Sequence, residues 1–173
     1  KIPNMISNKI RSNAKINVAL NILGKKSSLH KIESIIFFIS LHDTISIKEV
    51  KFKTHDISFV GKFSKNIKKN NTISKLLEIL DNKKLLMNKK FQIKINKRIP
   101  SKAGLGGGSM NAANILKYFI KKKIISTNKK EILKICNLIG SDVMLGLNST
   151  NTILNSLNKV RSFKNSKKLY TLI

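Results

Sequence analysis

The chain has 173 residues, of which 41% are hydrophobic and 25% are charged. This mixture is typical of one globular domain with a hydrophobic core, and it excludes a fibrous repeat or a long disordered tail. A single cysteine, Cys136, excludes an internal disulfide and a cysteine-cluster metal site. No apolar run reaches the length of a membrane-spanning helix, and the N-terminus lacks the apolar segment of a signal peptide. We therefore expect a cytoplasmic protein without a membrane partner.

The formal net charge is +27, from 35 Lys and Arg residues against 8 Asp and Glu residues. Such a charge is typical of nucleic-acid binders, but only Arg11, Arg98 and Arg161 among these cations are arginines, which recognise phosphates and bases better than lysines do. Ile, Asn and Lys are all abundant and all have A/T-rich codons, so an A/T-rich bacterial genome accounts for the charge. We therefore expect lysines solvated over the surface and no specific nucleic-acid partner.

The first half of the chain has mainly strand patterns. Apolar and polar residues alternate from Ala14 to Leu23, which predicts a half-buried strand with Lys15 and Asn17 together on its polar face. Apolar runs predict two further strands, at 35–41 and 44–50, joined as a hairpin or meander. A turn region at 24–30 precedes them, and loops with a short strand follow at 51–71.

The second half mixes helices with short strands. Apolar spacing predicts one helix from Thr72, with Asn71 or Thr72 as N-cap, and a second helix over 112–120. Asn128 followed by Glu131 predicts the start of a third helix. Further strands are predicted at 91–96, 152–156, 160–163 and 169–173. Strands and helices without a regular βαβ alternation predict an α+β fold.

A glycine-rich segment, Pro100–Ala113, lies between a predicted strand and a predicted helix. Four glycines in the five positions 104–108 allow backbone N–H groups to approach a polyanion closely. The following helix presents free N–H groups and the positive end of its dipole there, and Ser109 adds a hydroxyl. No Gly-Lys-Ser/Thr follows, so this is not a Walker A loop, and Ser109 stands where the dinucleotide fingerprint has its third glycine. The segment predicts a phosphate-binding loop.

Four segments in the order Ala14–Asn17, Leu29–Ser34, Pro100–Ala113 and Gly140–Val143 together resemble the GHMP kinase superfamily. Within it, they resemble the family whose members phosphorylate the 2-hydroxyl of a cytidyl diphosphate methylerythritol, in non-mevalonate isoprenoid (terpenoid) precursor biosynthesis. The resemblance implies an ATP-dependent small-molecule kinase. It also implies that residues 1–173 form the N-terminal ATP-binding domain, an α+β fold of sheet and helices in two layers, like domain 2 of ribosomal protein S5.

The resemblance implies a role for individual residues. Asp142 would accept the proton of the substrate hydroxyl, and Lys15 would orient Asp142, keep it ionised and stabilise the transferring phosphoryl group. Asn17 and His30 would contact the diphosphate and the cytosine of the substrate. Mg²⁺ would bridge the ATP phosphates, with Ser109 as its protein contact. The implied ATP-binding residues are Pro100, Ser101, Lys102, Ala103, Gly104, Leu105, Gly106, Gly107, Gly108, Ser109 and Met110 of the loop, with Asn71, Thr72 and Lys97 in the adenine region.

Two features depart from the family pattern. Leu29 precedes His30 where the family commonly has an aromatic residue, and the chain stops near the point where the family's first domain gives way to its second. We therefore expect a fragment or a truncated product without the C-terminal GHMP domain. Two alternatives stay open, namely a homoserine- or mevalonate-type kinase on the same fold, and a basic nucleic-acid-binding module. The sequence leaves the oligomeric state open.

Overall fold

A computed structural model describes residues 8–26, 29–155 and 160–163. Its elements in chain order are β1 Asn8–Lys26, β2 Leu29–Val50, β3 Asp56–Val60, α1 Thr72–Asn82, β4 Lys90–Asn96, α2 Gly107–Lys121, α3 Lys129–Ile139, α4 Val143–Asn148, β5 Thr152–Leu154 and β6 Val160–Ser162. The strands form one six-stranded sheet and the helices pack against it through a shared core, so the predicted α+β fold is confirmed. Among the described helices, none is both long and apolar enough to cross a membrane.

The long strand β2 is the centre of the sheet. It pairs antiparallel with β1 along one side and with β4 and β5 along the other. β3 joins the outer side of β4 in parallel, and β6 joins β5 antiparallel. The order from β3 is therefore β3-β4-β2-β5-β6, with β1 beside β2.

The main core lies between the sheet and the helices. Alternate residues of β2 and β4 face the core because successive side chains of a strand point to opposite faces. Helical spacing places the apolar residues of α1, α2 and α3 opposite them. The buried members from these elements include Ile45, Ile47, Phe91, Ile93, Ile95, Leu76, Leu80, Leu116, Phe119 and Ile135. This packing fixes both ends of the segment between β4 and α2.

The three predicted helices and their caps are confirmed. The side chain of Asn71 accepts hydrogen bonds from the first turn of α1, and Asn128 accepts one from Glu131 N in α3. The strands predicted at 91–96, 152–156 and 160–163 correspond to β4, β5 and β6. The strand predicted at 169–173 lies outside the described residues. The short helix α4 was not predicted, since six residues with a central glycine give no clear periodicity.

The hairpin predicted between 35–41 and 44–50 is wrong, because β2 continues through both segments. The polar residues at 42–43 suggest a turn, but the Asp43 side chain is fully buried and accepts hydrogen bonds from the backbone N–H groups of Arg98 and Ile99. A buried carboxylate with these partners needs no solvent, so the strand does not break there. The predicted turn at 24–30 is also shorter, since β1 runs to Lys26 and β2 begins at Leu29.

The apolar face predicted for β1 is buried only in part. Ala14 is buried and Ile16 is partly buried, but Val18, Leu20 and Ile22 are 54%, 53% and 66% exposed. Alternation predicts a buried face only where another layer covers it. The core clusters of the described residues include Ala14 and Ile16 and none of the three residues that follow on this face.

A histidine cluster joins β3, α1 and β4 away from the glycine-rich segment. The Phe91 N–H donates to His55 Nδ1 (3.0 Å), so the proton of the neutral ring is on Nε2, which contacts Asp81 Oδ2 (3.1 Å). Lys90 Nζ lies 2.6 Å from the same carboxylate oxygen. Burial lowers the pKa of His55 below its ordinary value, and Asp81 only partly opposes this.

We predict a specific pH dependence of folding from this cluster. Because the pKa of His55 is lower in the folded chain, the unfolded chain binds the proton more tightly. The free energy of unfolding should therefore fall as the pH drops through about 6.5 towards the lower folded pKa. In urea titrations at pH 7.5 and 5.5, His55→Asn should be less stable at both pH values and should lose part of this pH dependence.

The matched control is His42→Asn. His42 Nδ1 lies 2.8 Å from the Ser40 carbonyl oxygen and 3.4 Å from the Arg11 guanidinium, away from the Asp81 cluster. It should keep the pH dependence of the parent chain. An unchanged dependence in His55→Asn would contradict the prediction.

Candidate active site

A cavity of about 680 Å³ opens between the glycine-rich segment, the start of α1, β1 and the segment before α4. It collects most of the residues that the sequence implicates. These are Lys15, Asn71, Thr72, Lys97, Pro100, Ser101, Lys102, Ala103, Gly104, Leu105, Gly106, Gly107, Gly108, Ser109 and Asp142. The cavity thus brings together residues that are up to 127 positions apart in the sequence.

Two implicated residues, Met110 and Asn17, are described but do not line this cavity, and the structure does not describe the side chain of a third, His30. Met110 is fully buried and packs in a cluster with Ile36 and Leu145. Asn17 lies beside the cavity and bonds to the Lys15 ammonium. His30 is the second residue of β2, and its backbone pairs with Lys25 of β1. Its side chain lies outside the described part of the structure.

The glycine-rich loop needs glycine where it passes Lys15. Gly106 has φ +67°, which side chains rarely adopt, and a Cβ there would lie 2.8 Å from Lys15 Cγ. The N–H of Lys15 donates to the Leu105 carbonyl (3.0 Å), so β1 is bonded directly to the loop. α2 then begins at Gly107, and its free N–H groups face the loop end of the cavity. The loop and the helix start therefore have the geometry of an anion site.

The Lys15 side chain joins three parts of the site. It is 10% exposed, and its Nζ lies 3.1 Å from Asp142 Oδ2 and 2.6 Å from Asn17 Oδ1. Asn17 Nδ2 in turn donates to Ser34 Oγ (2.7 Å), whose hydroxyl donates to the Ala19 carbonyl (2.8 Å). These bonds hold the ammonium at one point of the cavity wall. The shared face predicted for Lys15 and Asn17 is confirmed.

Asp142 reaches Lys15 because α4 packs closely on α2. A Cβ at Gly146 would lie 2.6 Å from Ala113 Cβ, so only glycine permits this distance between the helices. Asp142 occupies the N-cap position of α4, yet its side chain makes no capping hydrogen bond. Its carboxylate is instead 35% exposed and paired with Lys15, which leaves lone pairs available to a ligand.

The start of α1 forms the opposite wall. Thr72 Oγ1 donates to the Gly108 carbonyl (2.9 Å) and so ties this helix to the loop. The Asn71 side chain caps α1 through Oδ1 and donates to the Lys68 and Lys69 carbonyls through Nδ2. Phe59 and Ile67 add apolar surface beside them, and neither was singled out from the sequence. A flat apolar ring would find a suitable surface on this side.

The sequence reasoning missed a buried polar cluster beneath the loop. The Asp43 carboxylate is fully buried and pairs with the Lys97 ammonium, and it also accepts from Asn111 Nδ2 (2.8 Å). The sequence signal for this cluster was Asp43 itself, since it alternates with Leu41 and Ile45 and so shares their apolar strand face. Such a position requires hydrogen-bonding partners inside the core.

The described residues contain no group of three or more His, Cys, Asp or Glu side chains that could hold a metal by themselves. The cavity offers the Asp142 carboxylate and the Ser109 hydroxyl. Mg²⁺ usually binds one or two carboxylates together with substrate phosphates, and keeps several waters. These two oxygen donors fit Mg²⁺ carried by a nucleotide.

The sequence matches a family model described as the GHMP kinases N terminal domain over residues 71–154. A 4-diphosphocytidyl-2-C-methyl-D-erythritol kinase from Pelagibacter ubique (strain HTCC1062) is 60% identical over 169 residues, covering 98% of this chain and 60% of the relative. A kinase of the same name from Finegoldia magna is 35% identical over 140 residues, covering 78% of this chain and 48% of the relative. The chain thus spans 60% or less of the length of these curated relatives.

Solved structures show the same fold. A crystal structure of 4-(cytidine 5'-diphospho)-2C-methyl-D-erythritol kinase superposes with a TM-score of 0.71 at 20% identity, covering 90% of this chain and 55% of that chain. The mevalonate kinase of Methanococcus jannaschii superposes with a TM-score of 0.58 at 20% identity, covering 94% and 57%. At these identities the likeness concerns the fold alone.

Fold and sequence together define the class: residues 71–154 match the N-terminal domain of the GHMP kinases, and the chain has the fold of the solved kinases above. The resemblance found in the sequence is thereby confirmed. Within the superfamily, nearly the whole chain is similar to 4-diphosphocytidyl-2-C-methyl-D-erythritol kinase.

We predict that Gly106 and Gly104 differ in their tolerance of alanine. Both have positive φ, so each Gly→Ala change costs about 1–2 kcal/mol of backbone strain. At Gly104 a Cβ meets nothing within 4 Å, whereas at Gly106 it collides with the Lys15 side chain. Urea titration should therefore show a larger loss of stability for Gly106→Ala. Equal losses would mean that Lys15 does not lie against the loop.

Proposed function

We propose that this chain is the nucleotide-binding part of an ATP-dependent kinase that phosphorylates the 2-hydroxyl of 4-diphosphocytidyl-2-C-methyl-D-erythritol, a step of non-mevalonate isoprenoid precursor biosynthesis. The observation that carries the proposal is the Lys15–Asp142 ion pair beside the glycine-rich loop. The 60% identity to a kinase of that name supports this substrate over a homoserine or mevalonate substrate. It equally supports a small-molecule partner over a nucleic acid.

The proposed binding mode follows from the walls of the cavity. The ATP phosphates lie against the N–H groups of the loop and of the start of α2, where the helix dipole favours negative charge. Lys15 adds positive charge to this end. Lys97, which the resemblance assigned to the adenine region, instead has its ammonium paired with Asp43 beneath the loop. The adenine lies towards Asn71, Thr72, Phe59 and Ile67 at the other end.

The proposed chemistry is direct transfer of the γ-phosphoryl group to a substrate hydroxyl. Such transfer depends chiefly on positioning and on neutralising the charge of the transferring group. Asp142 accepts the proton of the attacking hydroxyl, and the Lys15 ammonium orients that carboxylate. Lys15 also faces the charge that develops on the phosphoryl oxygens. Ser109 would contact Mg²⁺ carried by the nucleotide, and the ion would supply further charge neutralisation.

The proposed substrate contacts are Asn17 and His30. Asn17 lies next to Lys15, so it is placed to meet the diphosphate of a substrate whose hydroxyl faces Asp142. His30 is proposed to contact the cytosine, and Leu29 before it offers apolar rather than aromatic contact. The curated relatives are longer than this chain, and we propose that their additional length, including a C-terminal GHMP domain, completes the substrate cleft.

We predict that Mg-ATP stabilises the chain. At 100 times its dissociation constant, a ligand that binds only the folded state adds about 2.7 kcal/mol, which a thermal melt detects as a higher Tm. Gly107→Val should abolish the effect, since a Cβ there already lies 3.0 Å from Ile99 Cγ2 and 3.1 Å from Lys97 Nζ and forces the loop to move. Gly140→Ala is the control, because its Cβ meets only ordinary contacts. An equal Tm increase in Gly107→Val would place the phosphates elsewhere.

We also predict that Lys15 and Asp142 act as one unit in turnover. A positioned base contributes about 10²–10⁴-fold in rate, so Asp142→Asn and Lys15→Met should each lower kcat heavily while Mg-ATP still binds. Because Lys15 acts partly through Asp142, the double variant should lose much less than the product of the single losses. Formation of the phosphorylated cytidyl product, followed by ³¹P NMR, measures the rates in a protein that also carries the additional length of the relatives.

The matched controls are Lys94→Met and Asp56→Asn. Lys94 is exposed on β4, and Asp56 bonds to Gln92, so each change removes the same charge away from the cavity. Both controls should keep the parent rate. If the loss of kcat in the double variant equals the product of the two single losses, Lys15 and Asp142 act independently, which would contradict the mechanism.

A further inference from the structure

One buried carboxylate holds both ends of the glycine-rich loop. Asp43 Oδ1 accepts from the N–H groups of Arg98 (2.8 Å) and Ile99 (2.9 Å), which lead into the loop. Asp43 Oδ2 accepts from Asn111 Nδ2 (2.8 Å), which lies in α2 just after the loop. The same oxygen pairs with the Lys97 ammonium.

The hydrogen-bonding cluster around Asp43 is buried. Asp43 is 0%, Asn111 1% and Lys97 4% exposed, so water cannot replace a lost partner readily. The loop between these two attachment points contributes most of the cavity wall on the phosphate side. A Cβ at Gly107 would lie 3.1 Å from Lys97 Nζ, so the paired ammonium packs directly under the first residue of α2.

We propose that Asp43 is a positioning residue of the nucleotide site: it sets the loop conformation, and through it the affinity for the ATP phosphates, without touching the ligand. This inference rests on the nucleotide site proposed above. A carboxylate near a polyanion site opposes binding by Coulomb repulsion, so its presence there needs a compensating role. Holding four donors in one place supplies that role, since a preordered loop loses less entropy when the phosphates bind.

The charge of Asp43 and its positioning role predict opposite changes in Mg-ATP affinity when Asp43 is replaced. Asp43→Asn removes a negative charge and releases the Lys97 ammonium, so electrostatics alone predicts tighter binding of Mg-ATP. Positioning predicts weaker binding, because the amide NH₂ faces either the two backbone N–H groups or the pair formed by Lys97 and Asn111. The sign of the change therefore separates the two explanations.

The experiment combines calorimetric titration with Mg-ATP and hydrogen exchange of the ligand-free chain. In Asp43→Asn we expect about tenfold or greater loss of affinity, given that hydrogen bonds to a charged group are lost. We also expect faster exchange of the amides at 98–111, with unchanged exchange in α3. Asp56→Asn, with the same charge change, should alter neither readout.

A second variant, Asn111→Ala, tests the inference if Asp43→Asn does not fold. Asn111→Ala removes the Asp43 bond on the α2 side, and Asn111 Oδ1 has no hydrogen-bond partner among the described residues. Because Asn111 also lines the cavity, the exchange readout rather than affinity alone reports the loss of the Asp43 bond. Asn111→Ala should weaken Mg-ATP binding by a smaller factor and speed exchange at the start of α2.

Three results would overturn the inference: unchanged or tighter Mg-ATP binding in folded Asp43→Asn, exchange that rises equally in the loop and in α3, or Asn111→Ala behaving as the parent chain. Absence of Mg-ATP binding by the parent chain would instead contradict the proposed function. The exchange data would still decide whether Asp43 orders the loop, so the two failures are distinguishable.

Discussion

The position of the Lys15 side chain constrains the whole cavity. It crosses the loop at Gly106, where no Cβ fits, and ends between Asn17 and Asp142. The central strand pair, the glycine-rich loop and the segment before α4 must therefore meet at one ammonium group. The close packing of Gly146 on Ala113 satisfies this requirement from the helical side. The contacts that build the fold are thus also the contacts that place the reactive groups.

Most of the few acidic residues are paired with lysines. The chain has 8 acids against 35 basic residues, and Asp43, Glu49, Asp81, Glu131 and Asp142 are all in ion pairs. Two of these acids lie at or beneath the cavity, whose other charged lining residues are lysines. The site therefore keeps an excess of positive charge, which attracts a polyanion such as a nucleoside triphosphate.

Local patterns predicted those elements whose signals are local. Helices α1 and α3 follow from capping residues and apolar spacing, and the phosphate loop follows from its glycines. The continuity of β2 was missed because Asp43 is stabilised by donors 54 to 68 positions away, which no window of sequence contains. The exposure of Val18 and Leu20 was missed for a related reason, since alternation does not reveal whether another layer covers the face. The pairing of Lys15 with Asp142 likewise came from the family resemblance and not from spacing.

The proposed binding mode places the γ-phosphate of ATP between the loop and the Lys15–Asp142 pair. A crystal structure of the chain with Mg²⁺ and a non-hydrolysable ATP analogue tests it most directly. The account predicts phosphate oxygens within hydrogen-bonding distance of the N–H groups at the start of α2, and a γ-phosphate next to Lys15 Nζ. An analogue bound elsewhere on the lysine-rich surface, or bound here with its phosphates pointing away from Lys15, would contradict it.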